Sequence, residues 1–137
     1  MATNTRLISN LSTLAWYAFV LALLTVGVPR RPAPADGETV QNPVTVRFGL
    51  SGMGVAPAGT VKENTGHHHL LIDVNELPPM DFPLPNDDKH RHFGGGQTEI
   101  TLELPAGKHT LQLVLGDANH IPHDPPIMSE KITIEVQ

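Results

Sequence analysis

The stretch "GHHHLLIDV", Gly66 to Val74, decides how the chain is read. Three consecutive imidazoles run straight into Leu70, Leu71 and Ile72, so the segment is apolar on both faces of an extended strand. That is the pattern of a central strand covered on both sides. With a side-chain period of two, His67 and His69 share one face. His68 falls on the other, alongside Leu70 and Ile72.

Similar alternation recurs outward from this segment. In "NPVTVRFGL", Val44, Val46, Phe48 and Leu50 share a face while Thr45 and Arg47 point away. "TEITLEL" aligns Thr98, Ile100, Leu102 and Leu104, and "HTLQLVLG" aligns His109, Leu111, Leu113 and Leu115. "SEKITIEV" aligns Ile132, Ile134 and Val136. "LPAGKH" reads as a hairpin turn between two of these strands. "PPMDFPLPNDD" is too rich in proline for a helix, because proline removes a donor and clashes in helix interiors. Five clear strands, with room for two short ones, predict an all-β domain, an immunoglobulin-like antiparallel β-sandwich. From residue 39 onward Phe48, Phe82 and Phe93 are the only aromatics, so its core is aliphatic.

The first residues are of another kind. Leu14–Val28 is uncharged and apolar, and extending it back to Leu7 gives 22 uncharged residues. At about 1.5 Å per residue these cross a hydrocarbon core of about 30 Å. The alternative is a secretory signal, with "APA" at Ala33–Ala35 as a cleavage site. Arg30 and Arg31 between apolar run and site favour a retained anchor. The expected organisation is one N-terminal transmembrane helix in residues 1–28, contacting the membrane through residues 7–28. A Pro-rich linker follows at 29–40, and then a His-rich β-sandwich at 41–137.

Charge and composition narrow the partners. From residue 39 the chain carries six Lys/Arg against twelve Asp/Glu, a balance that repels phosphate and excludes nucleic acid as a favoured partner. Cations are favoured. The chain has no cysteine, which removes disulfides, thiolate nucleophiles, blue-copper centres and cysteine-bound iron–sulfur clusters.

All eight histidines lie between positions 67 and 123. His67, His68 and His69 form one group, His90 and His92 a second, His120 and His123 a third. His109 stands alone among leucines and reads as a satisfied core histidine. The pairs His67/His69 and His90/His92 each place two rings on one side of an extended segment, and a sandwich gathers its loops at two ends. The candidate metal ligands are therefore His67, His69, His90, His92, His120 and His123. Neutral imidazole suits zinc and copper, and Met53, Met80 or Met128 could add a soft donor. Asp117 and Asp124 flank the last pair and could orient rings through their second nitrogen. The competing reading is a scaffold in which ring N–H groups tie Pro-rich loops to backbone carbonyls. Asp87 and Asp88 read as solvated loop charges, with calcium an alternative. "GGG" at Gly94–Gly96 reads as a bulge or sharp turn, since no Lys-Ser/Thr follows and no helix opens.

Four segments in order, "FGLSGMGVAPAG", "ENTGHHHLLID", "DDKHRHFGGGQTE" and "GKHTLQLVLGDANHIPHDPPIMSEKI", resemble the bacterial domain-of-unknown-function 4399 family. The resemblance runs from about Asn42 to the C-terminus. It implies a small, exported, all-β domain behind a signal peptide or anchor, and implies no established activity. All eight histidines fall in the resembling segments. The resulting expectation is a single-pass protein of the bacterial inner membrane with its domain in the periplasm, binding copper or zinc without catalysis. The alternative is a non-enzymatic accessory subunit clipped onto the periplasmic face of a larger membrane complex, such as an electron-transfer or light-harvesting assembly. A copper-dependent oxidoreductase ranks third, because no nucleophile–base pair or carboxylate dyad stands out.

Overall fold

The computed structural model describes residues 31–137, and the anchor expected at 7–28 lies outside the described residues. Among those described, no helix is long and apolar enough to cross a membrane. The alternating segments become strands: β1 (Thr39–Val40), β2 (Val44–Arg47), β3 (Gly54–Val55), β4 (Thr65–Ile72), β5 (His90–His92), β6 (Glu99–Leu102), β7 (Gly107–Gly116) and β8 (Ile132–Val136). They form two sheets. The larger runs β1-β8-β7-β4-β3, with β5 also paired to β4, and the smaller is β2-β6.

β4 is central because its residues are buried on both faces from Gly66 to Ile72. One face, with Leu70 and Ile72, joins Leu111, Ile134 and Val136 of its own sheet. Val44, Val46 and Leu102 of the small sheet close that core, together with Phe93. On the opposite face, Leu71 and Val114 pack with Val74 and Leu84 of the loop that follows β4. Met80 and Met128 pack against this second cluster as gap-filling apolar groups.

Two expectations are corrected. The sheets are mixed rather than purely antiparallel, because β1 pairs parallel to β8 and β3 parallel to β4. Both are two-residue strands that reach their neighbours without a tight hairpin, so nothing forces an antiparallel return. "LPAGKH" is not a hairpin turn, since β6 pairs with β2 while β7 pairs with β4 and β8. The chain changes sheets there. Asn42 braces the exit by accepting from the Leu104 N–H at 3.1 Å and donating to the Leu104 carbonyl at 2.6 Å. The described part of the Pro-rich segment is hydrogen-bonded to the domain from Ala33. Ala33 bridges Arg47, the Gly37 N–H donates to the Thr133 carbonyl at 2.7 Å, and β1 adds to the sheet edge.

His109 is held as a bridging group. Its Nδ1 lies 2.7 Å from Asp73 Oδ2 and its Nε2 lies 2.8 Å from the Pro105 carbonyl. Asp73 Oδ1 accepts from the Thr110 N–H. Both partners of the ring are acceptors, so two ring protons satisfy both bonds. Burial opposes the charged ring, but these acceptors outweigh it and raise its pKa. Because the folded value exceeds the unfolded one, this contribution is complete below about pH 6.5 and is lost as pH rises through the folded pKa. We expect Asp73→Asn to lower the His109 pKa in an imidazole NMR titration. It should also flatten the thermal-melting profile above pH 6.5 and cost about 1–3 kcal/mol overall.

Candidate metal centre

The face of β4 turned away from the small sheet carries His67 and His69, and the chain brings two more rings onto them. β5 pairs with β4 so that His92 stands opposite His69. β7 runs along the other side with Gly116 opposite His67, and the turn leaving β7 delivers His120. One ring nitrogen from each of His67, His69, His92 and His120 lies within 4.8 Å of the others. His67 Nε2 stands 3.0 Å from His120 Nδ1 and 3.1 Å from His69 Nε2. The ring centroids are 4.6 to 5.9 Å apart.

Hydrogen bonding alone does not satisfy this cluster. His67 Nε2 meets both short contacts with either one proton or one lone pair, so it serves one neighbour well and not both, and its Nδ1 takes the opposite role. That Nδ1 is buried without a partner, as are His69 Nδ1 and His92 Nε2. Each orphaned polar atom costs about 1–3 kcal/mol. A cation instead gives the converging lone pairs a common acceptor, while His67 Nδ1 and His69 Nδ1 stay unpartnered on the far side of their rings. Four nitrogens around a tetrahedral ion bound at about 2.0–2.1 Å stand about 3.3 Å apart, close to the two short separations. The residues therefore fit such an ion.

Glycines make the convergence possible. A Cβ at Gly116 would stand 2.9 Å from His69 Nε2, and one at Gly94 would stand 2.4 Å from His92 Cε1. Either would push a ring out. Gly96 has φ 77° and donates to the Phe93 carbonyl, so "GGG" is the sharp turn expected. His120 has φ 67°, a left-handed conformation uncommon outside glycine. Asp117 holds that turn by accepting from the N–H groups of Asn119 at 2.7 Å and Ile121 at 3.0 Å. The His120 carbonyl accepts from Leu84 at 2.9 Å, which fastens the loop after β4 over the site.

Two of the six expected ligands stand outside the group of four. His90 faces Leu71 across the strand pair, and its Nδ1 is taken by Asp87 Oδ1 at 2.8 Å. Asp87 also accepts from the Lys89 and His90 N–H groups, so it caps this turn. His123 lies beside Gly66, its Nε2 buried and unpaired, 3.0 Å from where a Cβ on that glycine would be. Asp117 and Asp124 do not orient the rings as expected. Asp117 spends its oxygen on backbone, and Asp124 is exposed. His68 is buried on the core face, 5.0 Å from the Phe48 ring.

Burial lowers the His67 pKa to about 4, reinforced by repulsion from His120 and His92. Burial and repulsion from His67 and His92 lower His69 to about 3. His92 is lowered by burial and by His120. His67, His69 and His92 are therefore neutral near pH 7, the form that binds metal.

Burial of these neutral rings makes the metal-free chain sensitive to acid. Unfolded imidazoles titrate near 6.5, so the unfolded state takes up protons first as pH falls. The contribution is complete above about pH 6.5 and is lost as pH drops toward 4. Thermal melts from pH 8 to 4 are expected to show this decline, and His69→Leu to make it shallower.

The family described as Domain of unknown function (DUF4399) matches residues 46–137. No curated protein and no solved structure matches the chain.

Proposed function

The chain belongs to the DUF4399 family, and from that membership and the geometry of its histidines we propose that it is a non-catalytic metal-binding module of the periplasm. Residues 7–28 anchor it to the inner membrane, and its two-sheet domain is of immunoglobulin-like kind. The bound ion is copper or zinc, held by His67, His69, His92 and His120. One observation carries this reading. Four imidazoles from three separate parts of the chain converge in a buried place where their nitrogens cannot all be satisfied by one another. The acidic balance of the domain favours a cationic ligand.

Elemental analysis and calorimetric titration of the metal-stripped chain test it. One equivalent of copper or zinc per chain is expected, with about 2.7 kcal/mol of stabilisation at a free metal concentration 100 times the Kd. His92→Ala and Gly116→Ala should each weaken binding at least tenfold. His90→Ala should leave it within about twofold. A chain that takes up neither metal contradicts the proposal.

A second reading has its own support. Phe82 is 62% exposed and Leu77 44% exposed on the loop that covers the histidines. Apolar groups in that position suit docking of this face onto a larger membrane complex as an accessory subunit. Purification in mild detergent should then retain a stoichiometric partner, and Phe82→Ser should release it.

A further inference from the structure

The ligands in the proposed site are all of one chemical kind. Among the described residues, the converging group contains histidines alone, with no carboxylate in it. The chain has no cysteine to supply a thiolate. Asp117 is the anion whose charge reaches His67, and its Oδ1 is already engaged by two backbone N–H groups. Neutral imidazoles carry no formal negative charge to offset that of a bound ion. His67 and His69, at 0% and 1% exposure, shield the site from water on the β4 side, and His92 and His120 are half-buried.

The cost of holding a charge out of water grows with the square of that charge. A divalent ion in this place therefore costs about four times as much to desolvate as a monovalent ion of the same size. Imidazole suits copper and zinc, and of their common ions only copper(I) is monovalent. Copper(I) also has a filled d shell and no demand for tetragonal geometry, whereas copper(II) favours a tetragonal arrangement. Nitrogens at 3.0 and 3.1 Å, within a group spanning up to 4.8 Å, suit the less demanding ion.

We infer that the site discriminates by charge and holds copper as copper(I), in preference to copper(II) and zinc(II). This rests on the reading of the four histidines as a metal site, and it specifies the ion they select. Between the two divalent ions the general order for nitrogen sites places copper above zinc. The bound copper consequently has a reduction potential above that of the aqueous copper(II)/copper(I) couple.

The test uses the full metal-free chain in detergent under anaerobic conditions. Copper(I) is titrated against bicinchoninate, and copper(II) and zinc(II) against chromophoric chelators of known affinity. The expected Kd for copper(I) is at least tenfold below that for either divalent ion. Equal or tighter binding of copper(II) or zinc(II) overturns the inference while leaving the site a metal site. Failure of all three ions to bind overturns both. His92→Asp places one negative charge among the ligands, and it should move the copper(I)-to-copper(II) affinity ratio at least tenfold toward copper(II). A ratio unchanged in the folded variant overturns the charge argument. Should that variant not fold, a redox titration of the unmodified chain followed by copper(II) EPR decides. A potential above the aqueous couple supports the inference, and one at or below it overturns it.

Discussion

Burial of β4 on both faces is the constraint from which the rest of the domain follows. A strand covered on one face only would leave either His68 or the His67/His69 pair in water. Here Leu70 and Ile72 face the core between the sheets, and the small sheet of β2 and β6 closes over them. The opposite face receives the loop after β4, anchored by Val74 and Leu84 on Leu71 and Val114. Because side chains alternate, the same burial that fixes the core also fixes two imidazoles side by side under a roof. A slip of one residue would exchange His68 for the pair and put Leu71 where Leu70 now packs.

Around that fixed pair, small residues and backbone geometry do what large side chains do elsewhere. Gly116 gives the His69 ring its space on β7, and Gly94 clears His92 just beyond β5. Asp117 stabilises a turn in which His120 takes a left-handed conformation, a local cost that aims its ring at His67. The far nitrogens of His67 and His69 have no protein acceptor, so packing and not a carboxylate sets their orientation. Metal-binding histidines commonly donate that second N–H to a partner. This site departs from that habit. It also puts no carboxylate in the group of four, the feature on which the inferred copper(I) preference is argued.

Much of this was legible in the sequence, for reasons that can be named. The five longer strands follow from alternation, and the pairing of His67 with His69 follows from period two. His109 reads as a satisfied core residue from its leucine neighbours, and Asp73 and Pro105 are its partners. What stayed hidden depends on contacts between distant parts of the chain. Nothing local says that His120 meets His67 while His123 turns to Gly66, since that is set by where β7 ends against β4. His90 and His92 look equivalent by spacing. The available signal separating them is Asp87, three residues before His90, which captures that ring. The parallel pairings of β1 and β3 involve two residues each, too short to leave a periodic trace. The sheet change after β6 uses the same Pro-Ala-Gly residues a hairpin would use.

The central claim is that four imidazoles share one ion. X-ray absorption at the copper edge, on the chain loaded with one equivalent, reads the ligand shell without a substitution. The account predicts nitrogen ligands at about 2.0 Å with the outer-shell scattering of three or four imidazole rings. A shell of oxygen donors, or one showing a single imidazole or none, would contradict it.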